Sequence, residues 1–248
     1  LQAREPADLG ALVGRTGLSA DEASGAVRAL IERGEVVVLD QRRDGAPRLI
    51  PTTLLVSRPG WDRLVDQVRS TLGGYHRSYP LRRGMPKEEV RTRLGLDARL
   101  FVRLLDRVLA EGLVVEAGPF LRLPEHAVTF TPEQERQARL ILEALEAGGA
   151  SPPSRDEVEA RFGASPELTQ ALLDRGDLVE VASDLVYPRE VYATIVDEVT
   201  KTIRERGPIT VASVRDLFDT SRKFALAILA HLDERKITRR VGDERVLY

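Results

Sequence analysis

The sequence predicts a mainly α-helical chain with small β-hairpins, an α+β class, built from repeated small domains. Three observations predict it. An amphipathic helix followed directly by a β-rich stretch occurs four times, a glycine or a lysine stands at each of these helix ends, and capping residues precede Glu or Gln by three positions at three helix starts. With 248 residues, of which 42% are hydrophobic and 31% charged, the chain can bury several cores.

The composition excludes several classes of protein. Cysteine is absent, which excludes disulfide frameworks, cysteine zinc sites and thiol nucleophiles, and no apolar run approaches the roughly 18 residues of a membrane span. His76, His126 and His231 are too far apart in sequence for a metal-ligand spacing. Phosphate-binding loops and hydrolase motifs are also absent. We therefore expect no catalytic residue, metal or cofactor here, and a cytoplasmic fragment of a longer protein.

The repeated segment is the main indication of tandem domains. Its four copies cover residues 29–39, 107–123, 171–187 and 230–248. The residues at the helix ends are Gly34, Gly112, Gly176 and, in the last copy, Lys236. Glycine at this position is typical of the left-handed residue that ends a helix.

The last repeat shows the complete order of elements. Val191, Ile195, Val199 and Ile203 lie on one helix face, and Gly207-Pro208 ends that helix. We then expect a strand stub at 209–210, a short helix at 211–218, a turn at 219–220, a longer helix at about 221–234 and a hairpin at 238–248. This order is that of a winged helix, a helix-turn-helix unit followed by a β-hairpin wing.

Helix-start residues support the other repeats. Ser19, Thr131 and Ser154 each precede Glu or Gln by three residues, the spacing of a capping box, and Ser165 precedes Pro166. The acidic pairs at 21–22 and 156–157 therefore indicate first helical turns, where acids match the helix dipole, rather than catalytic carboxylates.

We place four winged helices at residues 1–57, 58–128, 129–188 and 189–248, and call them the first to fourth units. A unit of about 60 residues buries only a modest fraction of its surface. Neighbouring units should therefore pack in pairs, within an elongated tandem array.

The net charge of −2 hides large differences between the units. Residues 58–130 carry 13 basic and 9 acidic side chains, residues 131–187 carry 5 and 12, and residues 188–248 carry 12 and 10. Of the 37 basic residues, 33 are arginine, whose planar fork suits phosphates and base edges. GC-rich coding explains an arginine excess equally well, so both explanations stay open.

Two segments carry a family resemblance. Residues 79–91 read YPLRRGMPKEEVR, and residues 218–225 and 238–245 read FDTSRKFA and TRRVGDER. Together they resemble the C-terminal winged-helix region of the bacterial selenocysteine-specific elongation factors, the SelB family. The resemblance follows the chain in order from the first unit to the terminal hairpin.

The resemblance implies an mRNA-binding module. In this family a GTPase part, absent here, uses GTP and magnesium to deliver selenocysteyl-tRNA at a UGA codon. The winged helices hold the selenocysteine insertion (SECIS) hairpin of the mRNA, chiefly through the last unit. Ribosome and selenocysteyl-tRNA are then partners of the full-length factor, and we expect the fragment to be a monomer.

Candidate RNA-binding residues lie in the fourth unit. The N-terminal end of the second helix of a helix-turn-helix meets nucleic acid, and helix N-termini bind phosphate. The candidates are Ser221, Arg222 and Lys223 at that end, with Arg239, Arg240 and Arg245 in the hairpin. From charge alone, a solvated helix face with salt bridges to Asp243 and Glu244 is an open alternative.

A second basic cluster belongs to the second unit. Arg82, Arg83, Lys87 and Arg91 are possible contacts to the ribosome or to the tRNA-delivering part. A DNA-binding regulator and a protein-interaction scaffold remain competing functions. The acidic third unit disfavours the former, since a DNA regulator should carry basic recognition helices in several units, and the arginines of the fourth unit disfavour the latter.

Overall fold

The computed structural model describes residues 6–39 and 49–248, so residues 1–5 and 40–48 of the first predicted unit lie outside the described residues. The chain divides into two compact parts, Leu1–Ala127 and Val128–Tyr248, which we call the N-terminal pair and the C-terminal pair. The predicted packing of neighbours in pairs is thus confirmed. In the described residues no helix is long and apolar enough to cross a bilayer.

The N-terminal pair contains two helix-turn-helix units, each followed by a hairpin. Its elements are β1 (Ala7–Asp8), α1 (Leu9–Thr16), α2 (Ala20–Glu32), β2 (Val36–Val38), β3 (Leu54–Ser57), α3 (Arg58–Ser78), β4 (Met85–Pro86), α4 (Lys87–Leu94), α5 (Ala98–Ala110), β5 (Val115–Ala117) and β6 (Phe120–Arg122).

The C-terminal pair repeats the arrangement. Its elements are α6 (Pro132–Ala147), α7 (Arg155–Phe162), α8 (Pro166–Arg175), β7 (Leu178–Ala182), β8 (Leu185–Pro188), α9 (Arg189–Arg206), β9 (Ile209–Thr210), α10 (Val211–Leu217), α11 (Arg222–Glu234), β10 (Thr238–Val241) and β11 (Glu244–Leu247). The tandem winged-helix fold is confirmed, whereas the exact domain boundaries stay a prediction.

The strands of the described residues form small antiparallel sheets. In three of them a two-residue stub pairs with the second strand of the hairpin, giving the orders β1-β3-β2, β4-β6-β5 and β9-β11-β10. The sheet of the third unit contains only β7 and β8 within the described residues. Pro152-Pro153 stands before α7 where the other units have a stub, and proline has no N–H to donate to a ladder.

One helix-ending motif recurs in all four units. Gly34, Gly112, Gly176 and Lys236 have φ values of 71°, 69°, 81° and 57°. In each case the backbone N–H of this residue bonds the carbonyl three residues earlier, and the next N–H bonds the carbonyl five residues before it. This is the Schellman motif. The predicted left-handed positions are confirmed, including the lysine that replaces glycine.

The predicted helix starts are confirmed as well. Ser19, Thr131 and Ser154 form complete capping boxes, and the Ser165 side chain accepts a hydrogen bond from the Leu168 N–H. Hydrogen bonds from Ser19 lower the pKa of the Glu22 carboxyl. These acids therefore serve the helix starts, as predicted.

Strands β2 and β3 of the first-unit hairpin are buried on both faces. Val36, Val38 and Leu55 point into the core of the first unit, which contains Leu9 and Val27. Alternate residues of the same strands, including Val37 and Val56, belong to the core of the second unit. Because side chains alternate across a strand, a hairpin made almost wholly of apolar residues can serve two cores.

In the C-terminal pair, strand β8 is likewise buried on both faces and contributes to two cores. Val186 is fully buried in the core of the third unit. Leu185 and Tyr187, on the other face, belong to the core formed by α9 and α11 of the fourth unit. The third and fourth units therefore share one strand, and α11 is fixed relative to the third unit.

The remaining two hairpins keep one solvated face. In β10 and β11 only Thr238 and Arg245 are buried, and in β5 and β6 only Leu121 is. This alternation is typical of a sheet with one face in water. The hairpin of the fourth unit thus offers polar side chains to a partner.

Substitution of Leu185 tests the sharing of β8. Leu185→Ala should lower the free energy of unfolding of the C-terminal pair by about 2–5 kcal/mol, because it opens a cavity against the fourth unit. Hydrogen exchange followed by mass spectrometry should then show faster exchange in α9 and α11. Val186→Ala is the matched control, and its effect should begin in α6 and α8. If Leu185→Ala speeds exchange only in the third unit, β8 is not shared between the two cores.

Lys236 tests the repeated helix end. Lys236→Gly should stabilise the fourth unit by about 0.5–1 kcal/mol. A positive φ strains the backbone of a lysine, whereas glycine adopts it without strain. Gly112→Ala is the reverse experiment, since a Cβ there would meet no atom within 4 Å and only the backbone cost remains. In urea unfolding, the free energy of unfolding should rise for Lys236→Gly and fall for Gly112→Ala. A change in the same direction for both would contradict the left-handed conformation of these two residues.

Candidate nucleic-acid interface

The start of α11 differs from the starts of the corresponding helices in the other units. Ser19, Asp97 and Ser165 each accept a hydrogen bond from a backbone N–H of the helix they precede. Ser221 makes no such side-chain bond. Ser221, Arg222 and Lys223 are all exposed. The first turn of α11 thus offers backbone N–H groups and a hydroxyl beside two cations, which suits an anion.

The third unit lies against this helix start. The Lys223 ammonium is 3.1 Å from a carboxylate oxygen of Asp184, in the turn between β7 and β8. The Thr220 hydroxyl is 2.6 Å from the Ser151 hydroxyl and donates to the Ala150 carbonyl. Lys223 is therefore not free in the C-terminal pair, although its side chain stays 70% exposed.

The hairpin of the fourth unit divides its arginines between two faces. Arg240 stands opposite Arg245 in the ladder, and Arg239 stands opposite Val246, so Arg239 and Arg240 point to opposite faces. Arg240 donates to the Gly242 carbonyl and lies 3.6 Å from the Asp243 carboxylate at the hairpin turn. Arg239 is exposed on the other face.

The prediction for Arg245 is corrected. Its side chain is only 8% exposed, and its guanidinium donates to the Asp233 carboxylate at 3.2 Å. The Thr238 hydroxyl donates to the other Asp233 oxygen at 2.6 Å. Strand alternation turns Arg245 inward, so it ties the hairpin to the end of α11 instead of facing RNA.

Arg222 and Arg239 are thus the most available cations among the candidates. Neither forms an ion pair with any carboxylate of the described residues 6–39 and 49–248. Lys223 and Arg240 have exposed partners in Asp184 and Asp243. Such pairs contribute little and exchange readily. The five exposed candidates are Ser221, Arg222 and Lys223 at the start of α11, with Arg239 and Arg240 on the two faces of the hairpin, and together they are hereafter called the α11–wing surface.

The helix starts of the other units do not present such a surface. The first turn of α2 carries Asp21 and Glu22, and that of α8 carries Glu167. Arg99 at the start of α5 donates to the Asp8 carboxylate and to the Thr52 carbonyl, both at 2.7 Å.

The candidates of the second unit take part in contacts within that unit. Lys87 pairs with Glu116 at 2.6 Å, and Arg91 pairs with Glu88 and donates to the Leu96 carbonyl. Arg82 stacks on the Tyr79 ring at 4.2 Å, and Arg83 lies over the Phe120 ring at 5.1 Å. Arg82 and Arg83 remain exposed.

The histidines show structural contacts. His76 and His126 stack with ring centroids 3.7 Å apart, and the Leu123 N–H donates to His76 Nε2. Burial, with a smaller effect of His126, lowers the pKa of His76 to about 4, so its ring is neutral near pH 7. Among the residues that the structure describes, no group of three or more potential ligands could hold a metal ion.

The sequence analysis did not name two acids as site residues. Asp184 and Asp233 pair with Lys223 and Arg245, so they determine which cations of the fourth unit are available. Asp184 and Lys223 lie 39 residues apart in the sequence, and only the packing of the third unit against the fourth brings them together. For Arg245, the alternation of buried and exposed side chains along a strand could have predicted that its side chain points inward.

Comparison with known families gives two matches. Models described as "Elongation factor SelB, winged helix" match residues 69–123 and residues 201–247. The second match covers the last part of α9, the helix-turn-helix of the fourth unit and its hairpin.

Curated relatives agree with these matches. The chain is 28% identical over 190 residues to a selenocysteine-specific elongation factor of Desulfomicrobium baculatum, an alignment that covers 74% of this chain and 30% of the relative. It is 24% identical over 200 residues to that of Escherichia coli strain K12, with 78% and 32% covered. The chain thus spans about a third of the length of these relatives.

Two solved structures are also similar. One is the mRNA-binding domain of elongation factor SelB from E. coli in complex with SECIS RNA, at 22% identity and a TM-score of 0.40, covering 48% of this chain and 98% of that chain. The other is a bacterial selenocysteine-specific elongation factor, at 15% identity and a TM-score of 0.49, covering 83% and 32%. The chain thus matches SelB winged-helix domains at residues 69–123 and 201–247, and over 74% and 78% of its length it is similar to two selenocysteine-specific elongation factors.

Proposed function

We propose that this chain is the mRNA-binding module of a selenocysteine-specific elongation factor and that its α11–wing surface binds the SECIS hairpin. The observation that carries the proposal is the uncapped start of α11, with Arg222 exposed and unpaired among the described residues, on the unit that also bears Arg239. Backbone N–H groups and arginine forks both suit RNA phosphates and exposed bases.

The distribution of charge supports an RNA hairpin over duplex DNA. A chain of winged helices reading a long duplex would use several recognition helices. Here α2 and α8 begin with acids, and Arg99 of α5 is held by Asp8. A single unit suffices for the shape and unpaired bases of one hairpin.

We further propose roles for the remainder of the full-length factor. The part of the relatives that this chain does not cover would be the GTPase that uses GTP and magnesium to deliver selenocysteyl-tRNA. Arg82 and Arg83 would face the ribosome or that part. Lys87 and Arg91 are weaker candidates, because both have carboxylate partners within the second unit.

Binding measurements on this chain test the proposal. The cognate SECIS hairpin should bind more tightly than a hairpin with a changed loop, and duplex DNA of matching sequence should bind weakly. Arg222→Ala and Arg239→Ala should each weaken hairpin binding. For every phosphate contact removed, the slope of log affinity against log salt should fall by roughly 0.7–0.9, the contribution of one neutralised phosphate.

Three variants distinguish RNA binding at the α11–wing surface from non-specific attraction of RNA to any basic residue. Arg240→Ala should change the affinity less than Arg239→Ala, because Asp243 already neutralises part of its charge. Arg245→Ala should lower the free energy of unfolding, because the partly buried Asp233 carboxylate would lose its cationic partner. The pair Arg82→Glu and Arg83→Glu is the control and should leave hairpin affinity nearly unchanged. Loss of binding in this control, with Arg222→Ala and Arg239→Ala unaffected, would place the RNA site on the second unit.

A further inference from the structure

The turn of the third-unit hairpin brings a carboxylate to the first turn of α11. Asp184 lies 3.1 Å from the Lys223 ammonium. Unlike α2 and α8, α11 has no acidic residue of its own in its first turn. Asp184 therefore supplies, from another unit, the negative charge that a helix N-terminus favours.

Asp184 is held in place by its own unit. Its backbone carbonyl accepts a hydrogen bond from the Arg155 N–H at 3.1 Å, at the start of α7. The turn belongs to the hairpin whose second strand, β8, is buried on both faces. The contact between Ser151 and Thr220 also joins the third unit to the residues just before α11. The Asp184 carboxylate thus faces the start of α11 from a turn that its own unit holds in position.

The pair itself is not needed to position α11. Leu185 and Tyr187 already fix the third unit to α9 and α11 through the shared core. The Lys223 and Asp184 side chains are 70% and 49% exposed, and exposed ion pairs contribute little to stability. The main effect of Asp184 is therefore on whatever anion approaches Lys223 and the first turn of α11.

We propose that Asp184 is an internal competitor for the phosphate-binding position at the start of α11. This proposal rests on the proposed function of the α11–wing surface. An RNA phosphate that binds Lys223 either displaces the carboxylate or lies close to it, and like charges at this separation repel. The competition lowers the affinity of every polyanion for this position. Stable binding then requires the further contacts that Arg222, Arg239 and the bases of the cognate hairpin provide.

The Glu157 carboxylate adds to the negative field. Glu157 belongs to the capping box of Ser154, at the start of the same α7 that bonds Asp184. Besides the hydrogen bonds of Ser154, the charge of Lys223 lowers the pKa of Glu157. Lys223 is thus within the electrostatic reach of two carboxylates of the third unit.

The test compares Asp184→Asn with Glu143→Gln in the full chain. Glu143 is an exposed acid of α6 that pairs with Arg139 inside the third unit, so both variants remove one negative charge from that unit. Asp184→Asn should tighten binding of the cognate hairpin and of its loop mutant by a similar factor, about 3- to 10-fold at low salt. Glu143→Gln should change either affinity by less than about 2-fold. In a Lys223→Gln background, the gain from Asp184→Asn should also shrink to less than about 2-fold.

Retention on heparin, a polyanion without bases, separates this proposal from the proposed function. Asp184→Asn should elute from heparin at higher salt than wild type and Glu143→Gln, whichever RNA the chain prefers. Weaker binding of Asp184→Asn to both RNA and heparin would show that Asp184 positions Lys223 and would overturn the proposal. Equal behaviour of Asp184→Asn and Glu143→Gln would overturn it too. Failure of the wild-type chain to prefer the SECIS hairpin would instead count against the proposed function.

Discussion

Burial of a hairpin strand on both faces is the constraint on which the arrangement of each pair depends. In the C-terminal pair, Val186 fills the core of the third unit while Leu185 and Tyr187 fill that of the fourth. Each unit is too small to bury a large fraction of its surface alone. Sharing one strand between two cores solves this problem for both, and it is the reason that the chain forms two pairs rather than four separate domains.

The same constraint determines which surfaces remain for function. Strands enclosed between two cores cannot present polar side chains, so β2, β3 and β8 serve the packing of the units. The wing of the fourth unit keeps a solvated face and carries Arg239. Fixing the third unit beside α11 also brings Asp184 to Lys223, so a carboxylate of the acidic third unit lies at the start of this helix.

Much of the fold could be predicted from local patterns. The helix at 189–206, the left-handed Lys236 and the capping box of Ser154 follow from periodicity, helix-end chemistry and spacing within a few residues. The candidate site was harder to predict. Arg245 turns inward because it shares a face with Thr238, and the Asp184–Lys223 pair joins residues far apart in sequence. Such contacts depend on how units dock, which no local pattern encodes.

The most direct measurement is hydrogen exchange of the whole chain with and without the cognate SECIS hairpin. The account predicts slower exchange on RNA binding at the first turn of α11 and along β10, with smaller changes at the β7–β8 turn beside it. The amides of α2 and α5 in the N-terminal pair should be unchanged. Slower exchange at those helices, with none at the start of α11, would contradict the central claim.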